Sequence, residues 1–182
     1  MCDTPLMVRH VVIIGPVSVG KSTIGPSLAA LLGVPFVDLD EVAADHYAEV
    51  GQGIDRLIER ARSHGFVEAH RWWQPARAHA VRSVLRNSTV SVVAFGAGHS
   101  HFEDEQWFAE LPEVDIDASV AVLRQRCVDE RGEDQDWLYG HVDFIRDWVV
   151  SGQNRCLADT VVYTEGRPVD AIALDIAVRV QK

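Results

Sequence analysis

The sequence predicts a single α/β domain over residues 1–182, with a five-stranded parallel sheet between two layers of helices. Short segments rich in Val, Ile and Phe alternate with longer helical patterns, which is the order typical of a parallel sheet. The length of 182 residues corresponds to roughly one domain, and no linker or internal repeat divides it. A hydrophobic content of 47% and a charged content of 24% are typical of globular proteins.

The strands are expected where short runs of Val, Ile or Phe occur: Arg9–Ile14, Pro35–Asp38, Thr89–Phe95, Glu113–Ile116 and Thr160–Tyr163. Apolar residues spaced three and four positions apart predict helices between them. The first helix should stop at Gly33 and bend at Pro26, because an interior proline removes a backbone hydrogen bond. The other helices are expected over Ile54–Arg62, Glu68–Leu85 with a bend at Pro75, Val120–Glu130, Leu138–Val150 and Val169–Val180.

The composition excludes several classes of function. The formal net charge is −10, whereas proteins that bind nucleic acids or anionic membranes need a basic face. No apolar run approaches the roughly 18 residues of a membrane span. The three cysteines are far apart and lack C-x-x-C spacing, which argues against disulfides and structural zinc. We therefore expect a cytoplasmic monomer or homodimer without nucleic-acid or membrane partners.

The segment from Gly15 to Ser22 matches G-x-x-x-x-G-K-[ST] between a predicted strand and a predicted helix. Backbone N–H groups of such a loop hold phosphate oxygens, its lysine reaches the β- and γ-phosphates, and its serine helps to hold Mg²⁺. Two of the 17 basic residues are lysines, and one of them is Lys21. The sequence thus predicts a P-loop NTPase domain that binds ATP and Mg²⁺ through Gly15, Val17, Ser18, Val19, Gly20, Lys21, Ser22 and Thr23.

Asp38 and Asp40 end the second predicted strand, shortly after the P-loop helix. Alternation of side chains along a strand points both carboxylates to one side. One of them would lie at the metal while the other accepts a hydrogen bond from a substrate hydroxyl. The alternative is that this D-x-D pair caps the next helix.

With these motifs the chain resembles the shikimate kinases, a family of P-loop phosphotransferases. The matching stretches are Gly15–Thr23, Leu32–Asp40, the turn Gly96–Gly98 and the tail from Ala158 to Pro168. The resemblance implies transfer of the γ-phosphoryl group of ATP to a small hydroxylated molecule. It also implies that Asp38 and Ser22 hold Mg²⁺, and that the catalytic residues are Lys21, Asp38, Asp40 and Arg131.

The resemblance further implies an acceptor-binding segment at about residues 40–86 and a lid at about residues 126–140. Arg126 and Arg131 flank the start of that lid, where one arginine would pack on adenine and the other stabilise the transferring phosphate. The segment Arg167-Pro168 resembles the family's adenine-packing loop.

Several positions correspond to the family's acceptor site. Arg71 and Arg155 lie near the two arginines that clamp the substrate carboxylate, and Asp40 corresponds to the aspartate that binds its hydroxyls. Gly96, Ala97 and Gly98 stand where the family has three glycines beside the substrate. His99 and His101 follow them and could reach acceptor or phosphate, although an exposed loop is the expected environment.

Departures on the acceptor side favour a substrate other than shikimate. Ala97 replaces a glycine, the family's lid signature is absent, and tryptophans crowd the acceptor segment. Neighbouring residues on a helix point about 100° apart, so Trp72 and Trp73 cannot both face one core, and we assign Trp72 to the acceptor. The preferred hypothesis is a kinase for a sugar, a nucleoside or a natural product such as an antibiotic. The alternatives are shikimate kinase proper and a non-catalytic nucleotide-binding switch.

Overall fold

The computed structural model describes residues 10–15, 19–87, 89–96, 99, 118–124, 158–164 and 166–181. Within them five strands form one parallel sheet in the order β2-β3-β1-β4-β5. The strands are β1 (His10–Ile14), β2 (Phe36–Asp38), β3 (Val92–Ala94), β4 (Ala118–Arg124) and β5 (Thr160–Tyr163). The helices are α1 (Lys21–Leu32), α2 (Leu39–Glu49), α3 (Ile54–His64), α4 (Phe66–Trp72), α5 (Gln74–Asn87) and α6 (Val169–Val180).

Alternating side chains of the strands build a hydrophobic core on each face of the sheet. Val11 and Ile13 of β1 join one core with α1 and α6, whereas Val12 and Ile14 join the other core with α2 and α5. A strand buried on both faces reads as a continuous apolar run, which is why the sequence of β1 is so clear. The predicted three-layer α/β architecture is confirmed in the described part of the chain.

The fourth strand lies elsewhere than expected. The segment Glu113–Ile116 lies outside the described residues, and the strand beside β1 is Ala118–Arg124, with Val12 paired to Val120. The helix expected from Val120 is therefore wrong for its first five positions, 120–124. A short apolar run is ambiguous between helix and strand, and here pairing with β1 decides.

Two prolines lie within helices. Helix α1 runs from Lys21 to Leu32 through Pro26, and the bend expected there stays a prediction. Pro75 does not bend a long helix, because α4 ends at Trp72 and α5 begins at Gln74, which leaves Pro75 in the first turn of α5. The first turn tolerates proline, since its N–H groups have no partner within the helix.

Helix α2 was not among the expected helices, although its buried residues Leu39, Ala43 and Tyr47 recur every four positions. It begins because the side chain of Asp38 accepts a hydrogen bond from the backbone N–H of Asp40 at 3.1 Å.

No helix in the part of the chain that the structure describes has the length and apolarity to cross a membrane.

Gly25 lets β2 pack closely against α1. A Cβ atom at this position would overlap the Phe36 ring, with the ring atom Cζ only 2.8 Å away. Both residues belong to the contact between α1 and the sheet, with Gly25 buried and Phe36 packed against the core.

We expect Gly25→Ala to lower the free energy of unfolding by about 1–3 kcal/mol through overpacking. This loss should appear despite the helix propensity that alanine gains over glycine, about 1 kcal/mol. Urea unfolding measures it, and Phe36→Leu provides the second arm of a double-mutant cycle. A loss of the same size in the Phe36→Leu background would contradict the proposed overlap.

Candidate functional site

The site forms where β1, β2 and β3 end at the carboxyl edge of the sheet. Ligands bind at this edge in open α/β sheets, because the loops that follow parallel strands converge there. β1 leads to Gly15, and α1 begins after Gly20, whose φ of +96° lies in the left-handed region that favours glycine. Val19 is buried beside this turn, and Thr23 donates its backbone N–H to Gly20.

Lys21 lies at the bottom of the site. Its side chain is buried, and Nζ donates a hydrogen bond to the carbonyl of Gly15 at 2.8 Å. Burial lowers the pKa of Lys21 to about 8, while the charges of Asp40 and Asp38 oppose that decrease. A buried cation that has lost part of its hydration is stabilised by the negative charge of an added phosphate.

Asp38 links the P-loop helix to the second strand. The hydroxyl of Ser22 donates to Oδ2 of Asp38 at 2.5 Å, while Oδ1 accepts the N–H of Asp40. Asp38 therefore contacts Ser22 and also caps α2, so the capping interpretation is compatible with a role of the same carboxylate at a metal, which stays a prediction. The oxygens of Ser22 and Asp38 are ligands of the type that Mg²⁺ prefers.

Asp40 comes close to Asp38 for a different reason than expected. It lies in α2 rather than on a strand, so strand alternation does not place it. Its carboxylate lies directly against Gly96, where an added Cβ would approach the carboxylate carbon to 2.6 Å. Displacement of water by the surrounding protein, with repulsion from Asp38, raises the pKa of Asp40, and Lys21 partly counteracts both. The side chain is still 66% exposed, which leaves it accessible to a ligand.

His99 is the residue that the sequence analysis placed wrongly. It is buried, at 5% exposure, rather than in an exposed loop. Its Nε2 lies 2.6 Å from the Tyr47 hydroxyl, and its Nδ1 lies 3.5 Å from Oδ1 of Asp40. Nδ1 has no hydrogen-bond partner among the described residues. The one signal in the sequence that could have indicated a place for His99 in the site is its position directly after the candidate loop glycines Gly96 and Gly98.

Burial holds His99 in its neutral form. Desolvation, followed by the charge of Arg77, lowers the pKa of His99 to about 3. Burial raises the pKa of Tyr47, so its hydroxyl keeps its proton. Donation of that proton to Nε2 leaves the ring hydrogen on Nδ1, facing Asp40, which is the tautomer that the carboxylate favours.

Arg77 is a buried arginine that the sequence analysis did not single out. It is 1% exposed, donates to the carbonyl of His70 at 3.1 Å, and lies 5.9 Å from the ring centre of Trp73. Its positive charge acts on both Tyr47 and His99. The charge of Arg77 thus acts on the buried Tyr47–His99 pair and opposes protonation of His99.

The two adjacent tryptophans have different neighbours. Trp72 packs under the guanidinium of Arg60, 5.1 Å from the ring centre. Trp73 packs on the ring of Tyr47 at 4.4 Å, and its Nε1 donates to the carbonyl of Gln52. Trp73 therefore connects to His99 through Tyr47, whereas the assignment of Trp72 to the acceptor stays a prediction.

Arg71 and Arg167, two arginines expected at the site, lie on α4 and between β5 and α6. Arg71 is exposed on α4, where its charge acts on Glu68. Arg167 lies in the turn between β5 and α6 and donates to Asp175 at 3.0 Å, while Pro168 caps α6. The remaining expected site residues lie outside the described residues: Val17, Ser18, Ala97, Gly98, Arg126, Arg131 and Arg155.

Comparison with known proteins gives both sequence and structural relatives. A family model described as shikimate kinase matches residues 17–134. A shikimate kinase of Bradyrhizobium diazoefficiens is 38% identical over 90 residues, 50% of this chain and 38% of that protein. The ATP-dependent protease ATPase subunit HslU of Rhizobium etli is 28% identical over 120 residues, 64% of this chain and 28% of that protein. The chain thus spans well under two thirds of the length of either relative.

Solved structures share the fold. Shikimate kinase from Acinetobacter baumannii, in complex with shikimate, has a TM-score of 0.63 at 18% identity, covering 96% of this chain and 94% of that chain. A gluconokinase from Sinorhizobium meliloti has a TM-score of 0.59 at 16% identity, with the same coverage. These similarities confirm the predicted fold class.

The neutral state of His99 predicts how acid affects stability. The unfolded chain takes up a proton on this histidine near the ordinary pKa of 6.5, whereas the folded chain does so only near pH 3. The free energy of unfolding should therefore fall as the pH is lowered through this range. In His99→Gln that decrease should be less steep, by up to about 1.4 kcal/mol per pH unit.

Urea unfolding at several pH values measures the two slopes. His64→Gln, which removes an exposed histidine of α3, is the control for the loss of an imidazole. Equal slopes for wild type and His99→Gln would show that His99 is not held neutral.

Proposed function

The chain belongs to the shikimate kinase family, and from this premise we propose that it transfers the γ-phosphoryl group of ATP to a hydroxyl of a small molecule. The observation that carries the proposal is the convergence of Lys21, the Ser22–Asp38 pair and the Asp40–Gly96 contact at one edge of the sheet. Phosphoryl transfer needs mainly positioning and charge neutralisation, and these groups supply both.

The nucleotide side of the proposed site is the P-loop. Gly15 and Gly20 allow the backbone to wrap around phosphate, and the N-terminus of α1 adds partial positive charge. On binding, Nζ of Lys21 would exchange its bond to the Gly15 carbonyl for phosphate oxygens, which explains why the lysine is held there beforehand. Val17, Ser18, Val19 and Thr23 complete the proposed loop.

Mg²⁺ fits the Ser22–Asp38 pair. A hydroxyl and a carboxylate that already contact each other offer two oxygen ligands without rearrangement of the backbone. Bound there, Mg²⁺ would neutralise charge on the β- and γ-phosphates.

The acceptor side consists of Asp40 and, we propose, His99. Asp40 would accept a hydrogen bond from the acceptor hydroxyl and orient it toward the phosphate. The unpartnered Nδ1 of His99, buried and 3.5 Å from the same carboxylate, would fix the carboxylate and contact the same hydroxyl. Gly96 belongs to this side because only glycine leaves room for Asp40.

The remaining assignments follow from family membership. The proposed acceptor-binding segment, at about residues 40–86, includes α2 to α5. The proposed lid, at about residues 126–140, would bring Arg126 and Arg131 to the nucleotide, and Arg167 and Pro168 would flank adenine. Arg71, Trp72, Ala97, Gly98 and Arg155 remain candidate acceptor contacts.

A hydroxylated acceptor other than shikimate is the preferred substrate. The exposed position of Arg71 on α4 gives little support to a buried carboxylate clamp. The polar neighbour of Asp40 is instead the neutral His99, which suits the hydroxyls of a polyol, sugar or nucleoside better than a carboxylate. Shikimate kinase proper stays the second candidate, because family membership and Asp40 favour it. A switch without an acceptor would not need the close approach of Asp40 to Gly96.

An ATP-consumption screen over shikimate, sugars, nucleosides and hydroxylated natural products tests the proposal. Wild type should consume ATP with at least one acceptor other than shikimate, and Lys21→Ala should lose at least about 100-fold in turnover. Lys182→Ala is the matched control, since it removes the chain's only other lysine. Full turnover by Lys21→Ala would overturn the P-loop assignment, and efficient turnover of shikimate alone would reject the preferred acceptor class.

Asp40→Asn should lower kcat/KM for the acceptor by about 10²-fold or more, because the carboxylate that orients the acceptor hydroxyl is lost. Gly96→Ala should produce a similar loss by displacing Asp40. Asp45→Asn, an exposed change on the same helix, is the control. Calorimetry with a non-hydrolysable ATP analogue should give unchanged affinity in all three variants; a collapse in Asp40→Asn would assign Asp40 to the metal.

A further inference from the structure

Two histidines and a glutamate converge on the surface between α2 and α5, away from the site above. His46 and Glu49 lie three residues apart on α2, a spacing that puts them on one helix face. His79 reaches Glu49 from α5, with Nε2 2.7 Å from Oε2. The three side chains are 21%, 53% and 36% exposed, respectively, so water and ions can reach them.

The spacing of the three ligand atoms fits a small divalent ion. A tetrahedral Zn²⁺ with bonds of about 2.0–2.1 Å separates its ligands by about 3.3 Å. Nδ1 of His46 lies 3.3 Å from Oε1 of Glu49, and all three ligand atoms lie within 4.8 Å of one another. Small rotations of partly exposed side chains bring them onto one ion, and a fourth position stays open for water.

The backbone that carries these ligands is already rigid. Ala43 and Tyr47 of α2 flank His46, while Ala76 and Ala80 of α5 flank His79, and all four are buried in one core. Because the core fixes the two helices relative to each other, binding an ion orders only three side chains. The imidazoles also hold the pKa of Glu49 below its ordinary value, so it is a carboxylate at neutral pH.

We propose that His46, Glu49 and His79 form a binding site for Zn²⁺ or a similar divalent transition metal, which fastens α2 to α5. Two imidazoles and one carboxylate suit such ions, whereas Mg²⁺ prefers oxygen ligands alone. Along α2, Glu49 is nine residues from Asp40, about 13 Å at the rise of a helix. The metal therefore serves to stabilise the helices and does not take part in phosphoryl transfer.

Cobalt titration of the full chain, first freed of metal with a chelator, tests the proposal. Co²⁺ reports its ligands by its visible absorption, and thiolate ligands add charge-transfer bands in the near ultraviolet. Wild type should bind one Co²⁺ without those bands, and Zn²⁺ should displace it. His79→Gln and Glu49→Gln should each weaken binding at least about tenfold, while His64→Gln, the control on α3, should not.

Thermal unfolding gives an independent measurement. Zn²⁺ should raise the melting temperature of wild type and His64→Gln but not that of the two site variants. The variants are expected to melt normally in chelator; if His79→Gln fails to fold, Glu49→Gln, which keeps the shape of the side chain, decides. Equal Co²⁺ affinity in wild type and variants, or thiolate bands that His79→Gln leaves unchanged, would overturn the proposal.

Discussion

The rest of the site depends on the two hydrogen bonds that the carboxylate of Asp38 accepts. One oxygen receives the Ser22 hydroxyl, and the other receives the backbone N–H that starts α2. A single side chain therefore fixes the P-loop helix, the end of β2 and the direction of the helix that carries Asp40. Its burial strengthens both hydrogen bonds, because the local dielectric is low.

Around this carboxylate the site balances charge without neutralising it completely. Lys21 is one buried cation facing two aspartates, and the charges of this trio act on the pKa values of Lys21 and Asp40. Adding a nucleotide and a divalent cation brings both signs of charge at once, and the cation would offset part of the repulsion between the phosphates and the two aspartates. Within an acidic chain, this arrangement concentrates the basic group at the place where phosphate is expected.

Sequence reasoning succeeded where a residue's role depends on its immediate neighbours. The P-loop motif and the strand β5 are set by local pattern, and the cap at Asp38 was the alternative that the D-x-D spacing offered. It failed where distant parts of the chain decide. β4 is a strand because it pairs with β1, and His99 is neutral because the fold buries it against Tyr47 and because the charge of Arg77 opposes its protonation. The approach of Asp40 to Gly96 joins residues 56 positions apart, and no local pattern reports it.

The contact between Asp40 and Gly96 also makes the site sensitive to the alignment of two strands. β2 and β3 are paired with Asp38 opposite Ala94, and this pairing brings the glycine two positions later under the aspartate. A slip by one residue would present Phe95 instead, and its side chain would occupy the space of the carboxylate. The glycine therefore makes the position of the Asp40 carboxylate depend on strand register, so that a sheet shifted by one residue could not hold this carboxylate where the structure has it.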